Sequence, residues 1–343
     1  MHVHCFFLHL WPFLYGNPFI WYHENMFAKK VCDSMTLCST ARSLWASFLA
    51  NAIFGFSFLF TKVSLSYTSP YVLLSCRFSV ALFFFSLILI FGKQKLSFRG
   101  KPWKMLLLLG VFQPVLYFTG ETYGVKFTSS TFSAIMIALI PIVSIWASAL
   151  FLKEAPTPMQ SFFCILSVLG VIIITANTAE GSNQLIGVFL LLLAVTADVA
   201  FNLMSRKLST TFSAFERTYM MFLFGFFVFF SLMLGETGGS LTPFVSAFQD
   251  PSLLWPILYL GIFSSVIAFF LINYSHTHLP VTRTIVFINV TTLVSVLAGV
   301  FFLHERLSPL SCFAAGMIVL GVWGVQRFAS NTSLQKQPVS EEV

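Results

Sequence analysis

The sequence predicts an all-α integral membrane protein with ten transmembrane helices in two inverted five-helix repeats. Three observations predict this fold class: the composition, the length of the apolar runs and an internal repeat. Of the 343 residues, 57% are hydrophobic and only 9% are charged, whereas soluble domains carry roughly 25% charged residues. The composition therefore excludes a soluble globular protein.

The apolar runs are continuous and recur from Leu44 to Phe328. Each has about 17 to 25 residues, which is enough to cross roughly 30 Å of hydrocarbon as a helix. The runs do not alternate as barrel strands do. The predicted spans cover residues 44–64, 70–91, 104–124, 129–151, 158–176, 185–204, 212–234, 253–274, 282–303 and 309–327.

The basic residues predict the orientation of these spans. Lys and Arg number 19 against 12 Asp and Glu, but they gather in alternate loops, above all between the second and third spans. Such alternation is typical of membrane proteins, whose cytoplasmic loops are enriched in Lys and Arg. We therefore expect a multi-pass protein of the inner (cell) membrane with both termini cytoplasmic, a lipid bilayer around it and no nucleic-acid partner.

Four segments are predicted along the chain. The first is aromatic and is interrupted by Pro12, Gly16 and Pro18, so we expect a disordered extension or a non-native start, with the working protein beginning near Met35. The predicted segments are the N-terminal extension 1–43, the first repeat 44–176, the second repeat 185–327 and a cytoplasmic tail 328–343.

An internal repeat relates the two halves. Residues Phe118–Val171 align with Phe269–Val322 without a gap, and the strongest match sets FLKEAPTP against FLHERLSP. In each octamer a hydroxyl residue, Thr157 or Ser308, can cap the helix that begins at the following proline, where no amide donor is needed. Shared hydrophobicity alone would not keep one register over so long a stretch.

A weaker match places the first and sixth spans in register, with AIFGFSFLFTK at 52–62 against ADVAFNLMSRK at 197–207. Five spans per half is an odd number, so the second half must enter the membrane from the opposite face. Inverted repeats suit alternating access, because exchanging the conformations of two similar halves converts an inward-open state into an outward-open one.

Several stretches carry a family resemblance. They are NAIFGFSFLFTK at 51–62, Arg77, TSSTFSAIMIALIPIVSIWASALFLKE at 128–154 with its Pro141, and FFLHE at 301–305. On these stretches the chain resembles the EamA-type transporters of the drug/metabolite transporter superfamily, in the bacterial ten-helix form. Thr292 stands where the repeat would set a proline opposite Pro141, which puts a symmetric helix kink in question.

The resemblance implies a secondary transporter and not an enzyme. We expect it to move a small metabolite, amino-acid-like or amphipathic, across the plasma membrane by alternating access, in efflux or exchange. Protons are a candidate coupling ion and a homodimer is a candidate assembly. No cofactor is expected.

Asp198 and Asn202 are the first candidate site residues. Ionisable groups inside spans cost at least about 2.5 kcal/mol near the centre on insertion scales, so they usually face a cavity or a partner. Asn202 follows Asp198 by one helical turn and shares its face. The pair is interpreted either as part of a transport cavity or as a structural hydrogen bond between helices.

Glu121 and Arg77 are the next candidates, in the third and second spans. A carboxyl group buried at the position of Glu121 can take up protons, and the alternative is a structural pair with Lys126 or Arg77. Arg77 has a fork of donors that can hold an anionic substrate group. The alternative is a fixed salt bridge to Glu121 or Glu216.

The remaining candidates are polar residues and helix breaks. Glu216 and Arg217 open the seventh span and are interpreted as a gate or an interfacial anchor pair. Pro114 and Pro141 interrupt the third and fourth spans, where exposed backbone groups can bind ions or substrate, or where the kink is static. The uncharged candidates for solute contact, each of which alone is more often a packing residue, are Asn273, Asn289, Tyr274, Trp146 and Tyr117.

Two other function classes stay open, an intramembrane lipid-processing enzyme and a non-transporting membrane sensor. The enzyme would need His and carboxylates at one membrane depth, and the sequence assigns His276, His278 and His304 to loops, two on one side and one on the other. No GxxxxGK[ST] loop for ATP occurs. The six cysteines lack metal-ligand spacing, so no metal site is predicted.

Overall fold

The computed structural model of the protein describes residues 18–92, 96–97, 100–144, 147, 157–178, 182–279, 287–305 and 308–328. Every regular element within these ranges is helical. In chain order the helices are α1 Pro18–Ser64, α2 Pro70–Phe91, α3 Lys104–Phe127, α4 Ser130–Ser144, α5 Pro158–Thr178, α6 Ser182–Leu208, α7 Ala214–Glu236, α8 Thr242–Gln249, α9 Pro251–His278, α10 Ile288–Phe302 and α11 Pro309–Arg327.

The helices confirm a multi-span membrane protein. Within the described ranges, six stretches are long and apolar enough to cross a bilayer, and they lie in α1, α2, α3, α6, α7 and α9. Shorter apolar helices occur in α4, α5, α10 and α11. Helix α1 continues N-terminally through residues 18–43, which the sequence assigns to an extension, and α8 is a short helix that the sequence does not predict.

Side-chain caps explain where several helices begin. Ser69 accepts from the amide of Val72 ahead of Pro70, the first residue of α2. The two N-caps predicted from the repeat are confirmed, because Thr157 accepts from the amide of Gln160 at 3.2 Å and Ser308 from that of Ser311 at 3.0 Å. A hydroxyl followed by proline therefore starts α2, α5 and α11 alike.

Both predicted helix breaks occur. A π-helical segment, Val111–Leu116, interrupts α3 at Pro114, and Gln113 leaves the helical region with φ −142° and ψ 112°. In α4 a turn at Ala138 and Leu139 directly precedes Pro141. Proline has no amide to donate and crowds the preceding turn, which accounts for both interruptions.

In the part of the chain that the structure describes, the helix interruptions of the second half differ from those of the first, because none of them is at a proline. Helix α9 contains a π-helical segment, Tyr259–Ala268, although no proline lies within it. The repeat register sets Ser264 of this segment opposite Gln113, so the third and eighth spans are interrupted at matching places. Helix α10, which has Thr292 opposite Pro141, is continuous.

The helices pack in a recurring pattern of pairs. Helix α5 packs against α11, α2 against α7, and α4 against α10. Helix α3 packs against α6 and α7, while α9 packs against α1 and α2. Close approach is possible at Gly225 of α7, where a Cβ atom would lie 2.5 Å from atoms of Phe78 and Pro114.

Candidate functional site

A cavity lies among helices of both halves, bounded by α1 to α4 on one side and α6, α9 and α10 on the other. Its volume, taken as the space open to the centres of water molecules, is about 60 Å³. The lining residues are Asn51, Phe54, Ser57, Phe58, Arg77, Gln113, Tyr117, Phe118, Glu121, Ile137, Ile140, Asp198, Phe201, Asn202, Phe269, Ile272, His276, Ile288 and Thr291. Polar and charged groups are thus concentrated in one enclosed place in the helical bundle.

The cavity brings together five of the residues singled out from the sequence, namely Arg77, Tyr117, Glu121, Asp198 and Asn202. The Nδ2 atom of Asn202 donates to Oδ2 of Asp198 at 2.7 Å, as their helical spacing predicts. This bond joins two residues of one helix, α6, and not two helices. It also leaves the second carboxylate oxygen of Asp198 outside the pair.

Arg77 is held by the π-helical segment of α9. Its Nε donates to Oγ of Ser265 at 2.9 Å and its Nη2 to Oγ of Ser264 at 2.8 Å. The guanidinium carbon lies 4.2 Å from the centre of the Phe118 ring, in cation–π contact. Of the two alternatives for Arg77, the fixed salt bridge to Glu121 or Glu216 is not seen, because within the described ranges Arg77 forms no ion pair and its positive charge lies against hydroxyls and a ring.

Glu121 is almost fully buried, with 2% of its surface exposed. Its Oε2 atom has no hydrogen-bond partner among the described residues. The alternative of a structural pair with Lys126 or Arg77 is not supported by an ion pair within the described ranges, where Lys126 lies near the Tyr123 ring and Arg77 interacts with Glu121 only through electrostatic attraction. An unpaired buried acceptor costs about 1–3 kcal/mol, so such an oxygen is normally paired with a donor of the protein or with bound water.

Sequence reasoning missed five polar residues of the lining, Asn51, Ser57, Gln113, His276 and Thr291. Asn51 and Gln113 are polar positions within apolar runs, and Gln113 directly precedes Pro114, which is the signal that could have found it. Thr291 donates to the carbonyl oxygen of Asn51 at 2.9 Å and so joins α10 to α1.

The assignment of His276 to a loop is wrong. Helix α9 extends to His278, and His276 is 2% exposed in its last turns. A histidine and two carboxyl groups therefore do line one cavity. Among the described residues, His276 forms no ion pair with a carboxylate, and its Nδ1 atom has no hydrogen-bond partner.

The other predicted contact residues lie elsewhere. Asn273 accepts from Ser205 Oγ at 2.7 Å and donates to Thr218 Oγ1 at 2.9 Å, which joins α6, α7 and α9. Tyr274 packs against the ring of His278. Asn289 in α10 and Tyr274 are absent from the cavity lining, and Trp146 lies outside the residues that the structure describes.

Glu216 and Arg217 contact different partners and do not pair with each other, and their interpretation as gate or interfacial anchor residues stays a prediction. Glu216 completes the capping box of α7 with Ser213 and forms an ion pair with Lys101 at 3.2 Å. Arg217 donates from Nη2 to Oγ1 of Thr277 at 2.7 Å and to the carbonyl oxygen of Asn273 at 2.9 Å. The two neighbours thus tie α7 to different elements.

The side chain of Lys62 caps the C-terminal end of α3. Nζ of Lys62, in the last turn of α1, donates to the carbonyl oxygens of Val125 at 2.9 Å and Thr128 at 2.7 Å. Beside it, Glu305 accepts from the amides of Ser130 and Thr131, each at 2.9 Å, at the start of α4. Carbonyls at a helix C-terminus favour a cation and amides at an N-terminus favour a carboxylate.

A second cation closes the end of α9. Arg206, in the last turn of α6, donates to the carbonyl oxygens of His276 at 2.7 Å and Thr277 at 3.0 Å. The repeat register sets His276 opposite Val125, and Arg206 directly precedes Lys207, the residue aligned with Lys62. The two cationic caps therefore occupy matching places in the two halves.

The fold and the cavity are those of a multi-pass membrane transporter, and the comparisons with known proteins agree. The EamA-like transporter family model matches residues 41–176 and again 185–327. The chain belongs to the EamA-like transporter family of the drug/metabolite transporter superfamily. The doubled match also accords with an internal repeat.

Relatives agree with this assignment. The chain is 34% identical to "Uncharacterized transporter YcxC" of Bacillus subtilis (strain 168), over 85% of this chain and 93% of that protein. It is 26% identical to an "Uncharacterized transporter" of Archaeoglobus fulgidus, over 81% of this chain and 96% of the relative. A solved crystal structure of a protein aligns with a TM-score of 0.61 at 16% identity, over 83% of this chain and 97% of that one, and shows the shared fold.

Proposed function

We propose that the protein is a secondary transporter that moves a small metabolite, amino-acid-like or amphipathic, across the plasma membrane by alternating access, in export or exchange. The observation that carries the proposal is the cavity between the halves, in which Gln113, Glu121 and His276 each bury a polar atom without a partner among the described residues. Buried polar groups are normally paired, and a site that leaves three unpaired suits a polar ligand.

The packing supports two inverted five-helix repeats, with α1–α5 in one and α6, α7 and α9–α11 in the other. If each helix is exchanged for its counterpart, the contact of α3 with α6 becomes that of α9 with α1. The contact of α3 with α7 becomes that of α9 with α2, and both members of each pair occur. The basic loops, together with ten spans and an inverted second half, support a cytoplasmic position for both termini.

The cationic caps support alternating access. In an inverted arrangement the Lys62 cap lies at the outer face and the Arg206 cap at the cytoplasmic face. Each ties together the ends of two helices that line the cavity. Opening one face then requires release of one cap while the other holds, which is how two similar halves exchange roles.

Protons are the proposed coupling ion. Glu121 and Asp198 both line the cavity, and a carboxyl group that binds a proton from one side and releases it to the other links proton flow to solute flow. The assembly state stays a prediction, with a homodimer as the candidate.

Counterflow in proteoliposomes tests the proposed function. Vesicles are preloaded with a pool of amino acids and related metabolites, and uptake of each labelled solute is followed for the wild type, Asp198→Asn and Glu121→Gln. Uptake that depends on internal solute, lost in either cavity variant, is the expected result. Glu236→Gln is the matched control, because Glu236 lies outside the cavity and accepts from Ser69 in an exposed contact.

The two alternative functions, a sensor and a lipid-processing enzyme, predict different results in this assay. A non-transporting sensor shows no exchange with any solute in broad panels. A lipid-processing enzyme changes the lipids of the vesicle without moving solute, which thin-layer or mass analysis of the recovered lipid detects. Uptake that survives both cavity substitutions contradicts the proposed mechanism.

A further inference from the structure

We propose that the cavity recognises the primary ammonium group of its cargo, so that the solute class is an organic primary amine carrying an apolar body. The inference rests on the proposed function in one respect, namely that the bound ion is the transported solute. It draws on three separate features of the lining: the kind of polar atom left without a partner, the balance of charge and the nature of the walls.

The unpartnered atoms are acceptors. Oε1 of Gln113 and Oε2 of Glu121 can only accept hydrogen bonds, and Nδ1 of His276 accepts when the proton is on Nε2. All three residues are at least nine-tenths buried and line the same cavity. A ligand that satisfies any of these atoms must donate a hydrogen bond to it, and an ammonium group at Glu121 brings three N–H donors together with a charge opposite to that of the carboxylate.

The charge balance favours a cation. Of the three charged residues that line the cavity, Arg77 has two of its nitrogens engaged with the hydroxyls of Ser264 and Ser265, and its face lies over Phe118. No ion pair neutralises Glu121 or Asp198 among the described residues. An anionic solute would add to two carboxylates, whereas an ammonium ion offsets one of them in a site where charges are weakly screened.

The walls favour an apolar body beside the ammonium group. Aromatic rings line the cavity from several helices, among them Phe54 of α1, Phe118 of α3, Phe201 of α6 and Phe269 of α9. Ring faces attract cations and also bury hydrocarbon. The polar atoms then fix one end of the solute while the rings accept the other, as is common in small-molecule sites.

Binding to the purified full-length protein in detergent tests the inference. The four probes share a phenylethyl body of similar size: 2-phenylethylammonium, its N-trimethyl derivative, 2-phenylethanol and 3-phenylpropionate. Affinity is read from the rise of the unfolding temperature with probe concentration. We expect the primary ammonium ion to bind at least about tenfold more tightly than the other three, because the trimethyl derivative keeps the charge but has no N–H to donate.

Variants locate the contact. Glu121→Gln is expected to weaken binding of the primary ammonium ion by about tenfold or more, while Glu121→Asp keeps a carboxylate and retains most of it. Gln113→Leu removes a second acceptor and is expected to weaken binding as well. Glu236→Gln makes the same carboxyl-to-amide change outside the cavity and should bind like the wild type. Each variant is first shown to unfold cooperatively without probe.

The outcomes separate this inference from the proposed function. Equal binding of the alcohol, the carboxylate or the trimethyl ion, or no response to the primary ammonium ion, overturns the ammonium proposal. Unchanged affinity in Glu121→Gln overturns it too. If counterflow succeeds with a neutral or anionic solute while the amine does not bind, transport stands and this inference falls. If the amine binds and no solute exchanges in counterflow, the ammonium inference stands and the proposed transport function falls.

Discussion

Nζ of Lys62 lies 2.9 Å from the carbonyl oxygen of Val125, so the last turn of α1 is fastened to the last turn of α3. The interaction sets a positive charge against the negative end of a helix, and Lys62 is partly shielded from water. It closes one end of the bundle, with Glu305 close by.

Lys62→Met should loosen that end of the bundle. The substitution keeps the length of the side chain but removes every donor to Val125 and Thr128, so we expect the outward-open state to become more populated. A cysteine at Ser57, in the cavity lining, reports this in a background without native cysteines. Labelling by an impermeant maleimide added outside should be several times faster. Lys126→Met is the matched control, and equal rates in both proteins count against the outer cap.

Arg206→Met should have the mirror effect. It removes the donors to the carbonyl oxygens of His276 and Thr277 and so favours the inward-open state. The same Ser57→Cys reporter should react faster with reagent on the cytoplasmic side, in inside-out vesicles, and no faster from outside. Lys207→Met, at the exposed neighbouring position, is the control. Faster labelling from the outer side instead would reject the assignment of the two faces.

Arg77→Lys should lower the unfolding temperature in detergent. A lysine keeps the charge but cannot reach Ser264 and Ser265 with two separated donors or stack on Phe118 as a planar group. A hydrogen bond from a charged group contributes about 1.5–3 kcal/mol, so loss of one such bond is measurable. The same change at exposed Arg42 should have no effect. A stability equal to that of the wild type would mean that the serine contacts do not matter.

Glu305→Gln should destabilise the start of α4. Both carboxylate oxygens accept amide hydrogen bonds there, and an amide side chain offers one acceptor and turns an N–H toward the other donor. Loss of a cap of this kind costs about 1 kcal/mol. Hydrogen exchange of the amides of Ser130 and Thr131 should become faster in the variant. If the amides of Ser130 and Thr131 exchange in Glu305→Gln at the same rate as in the control Glu236→Gln, the cap is contradicted.

Much of the fold follows from local sequence. The apolar runs mark the helices, and the hydroxyl–proline pairs at Thr157 and Ser308 mark where α5 and α11 begin, because these signals depend on neighbours in the chain. The pairing of Asp198 with Asn202 is equally local, since one helical turn separates them.

The partners of Arg77 cannot be predicted from local sequence. Ser264 and Ser265 look like ordinary small residues of an apolar run, and their contact with Arg77 bridges helices that are distant in sequence. His276 was missed for another reason. A span boundary drawn from hydropathy ends where polar residues cluster, yet α9 continues through them because they face the bundle.

The π-helical segments give α3 and α9 a point at which each helix can bend. Within such a segment the carbonyls leave the regular ladder of hydrogen bonds, so the helix bends there more easily than elsewhere. The piece of α3 beyond this point is Tyr117–Phe127, and the matching piece of α9 is Phe269–His278. The α3 piece carries the cap acceptor Val125, the α9 piece carries the cap acceptors His276 and Thr277, and each piece forms part of the cavity wall. Release of a cap therefore allows the terminal piece of the helix, about three turns long, to move while the rest of the helix stays in place in the bilayer.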